Sequence, residues 1–213
     1  MTAEGTAARR GRPPRTTGRD LELVALRLFT ERGYDGTTVD DIAAAVGISR
    51  RSFFRYFDAK ADVLWGQFDS EVERLRAALA AVPAELSVMA AIRQAVGAVN
   101  RYSAAAVDEL RTRMTLVSTV PELAASAAVH YDAWEQVVID FAARRTGLPA
   151  DHLYPVAVGR ATLATCRAAY EQWAARGDAD LTVYLDAALG ALAGGFSDDP
   201  PAAEVTAVSP APR

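Results

Sequence analysis

Residues 37–60, TTVDDIAAAVGISRRSFFRYFDAK, decide the fold of the N-terminal part of this 213-residue chain. Thr38 is followed three residues later by Asp41, a pairing typical of a helix N-terminus because each side chain can satisfy a free backbone N–H. Gly47 ends that helix after barely two turns, and Ser49 is suited to cap the next one. This order of caps and breaks predicts a helix-turn-helix at about residues 38–57.

The second of these helices has two chemically different faces. At 3.6 residues per turn, Phe53, Tyr56 and Phe57 share one side, while Arg51 and Arg55 project together from the other. An arginine can donate two hydrogen bonds to the O6 and N7 of guanine, so this pair is a candidate for base recognition. Solvated surface charge is the alternative for any pair of exposed arginines. The aromatic side, including Tyr56, is suited to packing against a core.

Helical patterns continue on both sides of this stretch. Apolar residues from Leu21 to Phe29 predict a preceding helix that stops at Gly33, and Asp58 is suited to cap a long helix without a break before Pro83. Further helices are predicted around residues 89–99, 110–117, 121–147, 151–177 and 181–193. We therefore expect an all-α protein of about nine helices, with a small N-terminal three-helix domain and a larger helical domain. The predicted division is a flexible basic arm at 1–16, the helix-turn-helix domain at 17–62, the larger domain at 63–195 and a disordered tail at 196–213.

Charge and composition narrow the function classes. The net charge is −4, divided into +3 for residues 1–60 and −7 for residues 61–213, which argues against a nonspecific DNA-packaging or architectural protein. Arg10 and Arg12 lie in a Pro- and Gly-containing arm that either aids solubility or follows DNA.

Cys166 is the sole cysteine, and residues 1–20 hold no apolar signal peptide or membrane anchor. We therefore expect a soluble cytoplasmic protein with no membrane partner. An enzyme is the weaker alternative, since the sequence contains two histidines and no recognisable catalytic or metal-binding motif, and we expect no cofactor.

Residues 17–66 resemble the N-terminal domain of the TetR family of bacterial regulators. The resemblance lies in FTERGY at 29–34, TTVDDIAAAVGIS at 37–49 and FFRYFDAK at 53–60. It implies that the chain is a homodimeric, ligand-responsive repressor that binds an inverted-repeat DNA operator. Phe54 departs from the pattern, because the family frequently has Tyr there. The DNA contacts implied are major-groove contacts by Arg50, Arg51, Ser52 and Arg55, and backbone contacts by Thr38, Tyr56 and Lys60.

The stretch FRYF at 54–57 through WGQFD at 65–69 is similar to a TetR subgroup encoded beside mycofactocin biosynthesis genes. That similarity implies an acyl-CoA as the small hydrophobic effector. Analogy with the TetR family implies that helix four is the lever that moves the DNA-binding domain. Ordinary core packing is the alternative for large apolar residues at helical spacing, as is surface ion pairing for an isolated arginine. The candidate effector-binding residues are Trp65, Phe68, Met89, Arg93, Met114, Tyr131 and Trp134, with Arg160 and Arg167 as further candidates for an anionic group.

Overall fold

The computed structural model describes residues 16–195, and within that range it is all-α, as predicted. The expected arm, including Arg10 and Arg12, lies outside the described residues except for Thr16, and so does the expected tail. Nine α-helices and one 3-10 helix form the described part. The α-helices are α1 (Gly18–Arg32), α2 (Val39–Ala45), α3 (Arg50–Phe53), α4 (Phe68–Ala81), α5 (Val88–Val99), α6 (Ala104–Thr119), α7 (Pro121–Thr146), α8 (Leu153–Arg176) and α9 (Leu181–Ala193), and the 3-10 helix is Ala61–Trp65.

The first three helices begin at side-chain caps. At α2 the Thr38 hydroxyl accepts from the Asp41 backbone N–H at 3.1 Å, while the Asp41 carboxylate accepts from the Thr38 backbone N–H at 2.8 Å. At α3 the Ser49 hydroxyl accepts from the Ser52 N–H at 3.1 Å. These contacts satisfy N–H groups that the helix itself leaves free, and they confirm the two predicted starts.

The region after α3 differs from the prediction in three ways. The helix predicted to reach Phe57 ends at Phe53 and continues as turns, and the helix predicted to run unbroken from Asp58 to Pro83 is a 3-10 helix followed by α4. Asp58 is not the cap, because the Asp62 carboxylate accepts from the Ala59 N–H instead. Val63, Leu64 and Trp65 are all buried, which one apolar face of an α-helix cannot achieve. A lever made of one continuous helix four is therefore wrong.

Gly66, at the junction between the 3-10 helix and α4, permits close packing against Phe57, which follows the turns after α3. A Cβ at this position would lie 3.1 Å from Cε1 of Phe57.

The residue predicted to cap α8 also differs from the one observed. His152, rather than Asp151, accepts a hydrogen bond from the Tyr154 N–H. Among the described residues, no helix combines the length and apolarity needed to cross a membrane.

Two apolar cores hold the helices together. The first contains the buried faces of α1–α3 and the 3-10 helix, but it also includes Val117 from α6 and Leu123 and Ala127 from α7. The second joins α4, α5 and α6 to α7, α8 and α9, and Phe68 packs against both cores. The N-terminal helices thus share their core with the larger domain.

Candidate DNA-binding surface and ligand cavity

The predicted base-reading arginines lie on the exposed side of α3 and of the turns that follow it. Phe53 is fully buried beneath the helix, which fixes α3 against the first core, while Arg51 and Arg55 are exposed. Neither arginine forms an ion pair within residues 16–195. The Arg55 guanidinium carbon lies 5.9 Å from the centre of the Tyr56 ring. Within the described residues neither guanidinium group is held by a carboxylate, so both can donate hydrogen bonds to a ligand bound at this surface.

The two neighbouring candidates on α3 are more constrained. Arg50 pairs with Asp40 of α2, with Nη1 at 3.1 Å from the carboxylate, and its guanidinium carbon lies 5.4 Å from the centre of the exposed Phe54 ring. Ser52 is half-buried, and its hydroxyl lies 3.0 Å from that of Ser49. Arg51 and Arg55 are thus the freer donors of the group.

The three predicted backbone-contacting residues border this surface. Thr38 is exposed, although its hydroxyl is engaged with Asp41 in the cap of α2. Tyr56 is 38% exposed and its hydroxyl donates to the Thr16 carbonyl at 2.8 Å, so it is a surface residue rather than a core aromatic.

Lys60 lies where the turn after α3 meets the loop before α2. Its Nζ donates to the carbonyls of Tyr34 and Thr37 at 3.0 and 3.2 Å, and it lies 3.7 Å from the centre of the Tyr34 ring. An ammonium group has three N–H bonds, so one remains for a phosphate. Lys60 therefore has a structural role in joining this turn to the loop before α2, and its charge lies at the edge of the surface that carries Arg51 and Arg55.

A cavity of about 360 Å³ lies in the larger domain. Five of the seven predicted effector-binding residues line it: Trp65, Phe68, Met114, Tyr131 and Trp134. The other two lie elsewhere, because Met89 packs into the second core and Arg93 pairs with Asp186 of α9. Arg160 pairs with Glu135, whereas Arg167 does line the cavity.

The cavity wall is largely apolar but includes several polar groups that the sequence patterns did not identify. Tyr170 donates to the side-chain carbonyl of Asn100, and burial raises the pKa of Tyr170 well above its usual range. Burial also raises the pKa of the Cys166 thiol to about 12, so this group stays protonated at neutral pH. The charged members of the wall are Arg113, Arg167, Glu71 and Glu171.

A buried ion cluster connects the cavity wall to α1, the first of the N-terminal helices. Glu22 of α1 is fully buried and accepts from Arg113 of α6, and Arg19 Nη1 lies 3.0 Å from the same carboxylate. Glu109 completes the cluster, at 2.8 Å from Arg113 Nη2 and in contact with Arg19. Burial raises the pKa of Glu22, and the two arginines oppose that shift. Glu22 lies on the buried face of α1, one turn before Ala25 and Leu26. This helical spacing is the sequence feature from which a buried, paired Glu22 could have been predicted.

The sequence matches two known families over most of its described length. Residues 23–64 match the family described as "Bacterial regulatory proteins, tetR family", and residues 86–197 match the "MftR C-terminal domain". The first match contains the helix-turn-helix, and the second contains all residues of the cavity wall except Trp65, Phe68 and Glu71.

Individual relatives agree with these matches. The mycofactocin biosynthesis transcriptional regulator MftR of Mycobacterium tuberculosis is 33% identical over 89% of this chain and 96% of its own. The HTH-type transcriptional regulator TcmR of Streptomyces glaucescens is 32% identical over 86% of this chain and 85% of its own. These relatives are transcriptional regulators, not enzymes.

Two solved structures share the fold at low sequence identity. FadR of Thermus thermophilus, a TetR-family repressor in complex with lauroyl-CoA, has a TM-score of 0.56 and 22% identity, covering 92% of this chain and all of that one. The fatty acid degradation regulator FadR of Bacillus halodurans has a TM-score of 0.61 and 19% identity, covering 84% of this chain and 99% of that one. At these identities the likeness concerns the fold alone.

Proposed function

Because this chain belongs to the TetR family of bacterial transcriptional regulators, we propose that it is a homodimeric repressor whose operator is an inverted repeat and whose effector enters the cavity. The effector we propose is a hydrophobic acyl compound of the acyl-CoA class. The regulated genes we propose are those of mycofactocin biosynthesis, as the name of the M. tuberculosis relative indicates for that protein. The proposed division is a reading unit at residues 17–62 and an effector and dimerisation unit at 63–195.

The observation that carries the DNA-binding role is a pair of exposed arginines, Arg51 on α3 and Arg55 in the turns that follow it, neither of which forms an ion pair within residues 16–195. The two arginines lie four residues apart on one exposed surface, and a helix-turn-helix presents this part of its second helix to the major groove. Tyr56 and Lys60 border the face and are suited to phosphate contacts, which position a protein without reading sequence.

Dimerisation is supported by apolar residues exposed on α8 and α9. Leu153 and Tyr154 at the start of α8 and Val183 on α9 are 79%, 45% and 46% exposed. A second copy of the chain packed along α8 and α9 would remove these apolar side chains from water, which favours association. A two-fold axis through such an interface would present two copies of α3, which is the reason for an inverted-repeat operator.

The effector role is supported by the cavity itself. A volume of about 360 Å³ with a mainly apolar wall and a few polar groups is typical of small-molecule sites. Release of DNA requires that the ligand bind the DNA-incompetent conformation more tightly than the competent one. The T. thermophilus FadR complex contains lauroyl-CoA, so this compound is the first effector to test here.

Competition gel shifts on an operator selected from randomised duplexes test the DNA-reading assignment. Arg55→Ala should lose about 10- to 100-fold in affinity for the selected base and relax the preference at that position alone. Lys60→Met should weaken all sequences alike and lower the salt dependence by about one counterion. Arg93→Ala, far from α3, is the matched control and should bind as wild type does. Identical base-preference profiles for the Arg55 and Lys60 variants would contradict the assignment.

Adding lauroyl-CoA to the same wild-type complex tests the effector assignment. We expect it to lower operator affinity by about 5- to 150-fold, the usual range of coupling between two sites. An operator complex that is indifferent to lauroyl-CoA and to free laurate would instead favour an effector-independent DNA-binding protein.

A further inference from the structure

Tyr34 connects Lys60 to the larger domain. Its hydroxyl donates to the carboxylate of Glu122, in the first turn of α7, although the two residues are 88 positions apart in the chain. The centre of its ring lies 3.7 Å from Nζ of Lys60, and its backbone carbonyl accepts from the same Nζ at 3.0 Å. Tyr34 is only 4% exposed. One buried side chain thus contacts both a predicted phosphate-binding group and a helix outside the DNA-binding unit.

The surroundings of Lys60 set the direction in which its remaining N–H points. Two of the three N–H bonds are directed at the carbonyls of Tyr34 and Thr37, and the face of the Tyr34 ring lies against the ammonium group. Both carbonyls and the ring are uncharged, so they hold the group without cancelling its charge. A hydrogen bond to a phosphate oxygen depends on distance and angle. The fit of Lys60 to a phosphate is therefore determined by where Tyr34 lies.

Tyr34 is itself held by contacts from two other helices. Its ring packs against Phe29 of α1, with ring centres 5.0 Å apart, and its hydroxyl is held by Glu122 of α7. Burial raises the pKa of Tyr34 above its usual range, and the hydrogen bond to Glu122 raises it further, so the hydroxyl remains a donor at neutral pH. The negative charge of Glu122 beside the hydroxyl makes the ring more electron-rich, which strengthens the attraction between the ring and Lys60.

A second contact from the start of α7 holds the other side of Lys60. The Ser126 hydroxyl donates to the Asp62 carboxylate at 3.2 Å, and that carboxylate also accepts from the Ala59 N–H at 2.9 Å. Asp62 thus fixes the turn in which Lys60 lies. Leu123 is fully buried in the first core and anchors this end of α7. The first turns of α7 therefore hold both segments that surround Lys60.

We propose that Tyr34 and Glu122 are positioning residues for a contact between Lys60 and an operator phosphate. The larger domain thereby contributes to operator affinity without contacting DNA. This inference rests on the proposed DNA-binding function and extends it to a residue of α7, far in the sequence from the helix-turn-helix. Because a phosphate contact carries no sequence information, loss of either positioning residue should weaken binding to every sequence by the same factor.

A double-mutant cycle in competition gel shifts tests this proposal on the full-length protein, with an operator selected from randomised duplexes. Tyr34→Phe keeps the ring and removes the hydroxyl, whereas Glu122→Ala removes the carboxylate. We expect each to lower operator affinity by about 3- to 10-fold, and Glu122→Gln, whose amide oxygen can still accept from Tyr34, to lower it by less than about 3-fold. In a Lys60→Met background, Tyr34→Phe and Glu122→Ala should each change affinity by less than about 2-fold, because the group that they position is absent.

Two controls separate positioning from a loss of folded protein. Urea unfolding of each variant gives the folded fraction by which the measured affinities are corrected. Tyr102→Phe removes a phenol hydroxyl that is bonded to Asn100 inside the larger domain, and it should bind the operator as wild type does. Equal losses in the wild-type and Lys60→Met backgrounds, no loss in Tyr34→Phe, or a changed base preference would overturn the proposal.

The same experiment distinguishes this proposal from the proposed function. If the wild-type protein selects no operator, the DNA-binding function fails and this inference fails with it. If Arg55→Ala loses base preference but Lys60→Met binds as wild type does, base reading stands while the positioning proposal is overturned.

Discussion

Removing the buried Arg113 guanidinium should destabilise the protein in a pH-dependent way. In Arg113→Met, Glu22 keeps its burial, with 1% of its side chain exposed, but loses a partner whose side chain is 8% exposed. Removing one member of a buried ion pair typically costs about 3–5 kcal/mol of unfolding free energy. Arg19 still lies 3.0 Å from the Glu22 carboxylate, with 38% of its side chain exposed, and it compensates part of the buried charge. We therefore expect a loss of unfolding free energy at the lower end of this range, about 3 kcal/mol at pH 8.

The pH dependence follows from the pKa of Glu22. Burial raises this pKa above its ordinary value of 4.5, and Arg113 is the largest opposing influence, so its loss raises the pKa further. A carboxyl group whose pKa is higher in the folded protein contributes stability that is fully present below the unfolded pKa. That stability is lost as the pH rises through the folded pKa, by about 1.4 kcal/mol per pH unit between the two values. The defect of Arg113→Met should therefore be small near pH 4.5 and grow toward pH 8.

Urea unfolding at pH 5, 6, 7 and 8, at one fixed protomer concentration, measures this prediction. The double variant Glu22→Gln with Arg113→Met should be more stable than Arg113→Met alone at pH 8, because the neutral amide does not have to be buried as a charge. Arg93→Met breaks an exposed pair and should cost at most about 1 kcal/mol at every pH. An Arg113→Met defect of equal size at pH 5 and pH 8 would refute the reasoning.

Three further substitutions probe the packing and the reading unit. Gly159→Ala should cost about 1–3 kcal/mol in urea unfolding, because its Cβ would lie 2.4 Å from Cγ1 of Ile139 where α7 and α8 meet; wild-type stability would contradict that close approach. Thr38→Ala should cost about 1 kcal/mol by loss of the α2 cap, and Thr38→Ser should restore most of it in the same assay. Tyr56→Phe removes the hydrogen bond to the Thr16 carbonyl and should weaken operator binding by the same factor for every sequence; a change in base preference would instead make Tyr56 a base-reading residue.

The reading unit was predictable because its signals are local. The caps at Thr38 and Ser49 each involve a partner three residues away, so the sequence alone shows the helix starts. The 3-10 helix was not predictable in this way. Its residues Val63, Leu64 and Trp65 are buried from several sides at once, and this burial depends on α1 and α7 packing around them.

The cavity was only partly predictable because helical spacing identifies a buried face but not what that face meets. Trp65 and Tyr131 fit the same pattern as Met89, yet Met89 packs into the second core. Arg93 and Arg113 are both arginines in amphipathic helices, and only the tertiary arrangement pairs one with α9 and the other with α1. Glu22 and Arg113 lie 91 residues apart, beyond the reach of any local pattern.

The contacts that join the reading helices to the larger domain are of two physical kinds. Val117, Leu123 and Ala127 contribute apolar packing to the first core, which is nondirectional and tolerates small shifts. The Glu22–Arg113 pair is directional, and its free energy changes steeply once the buried groups separate. A ligand shifts a conformational equilibrium only if it binds the two states with different affinity. Arg113 lines the cavity and also pairs with Glu22 of α1, so a ligand in contact with Arg113 can bind the two states differently. We therefore expect ligand binding in the cavity to shift α1, and with it the DNA-binding helices, mainly through the Arg113–Glu22 pair. The apolar contacts of the first core should be kept during this shift.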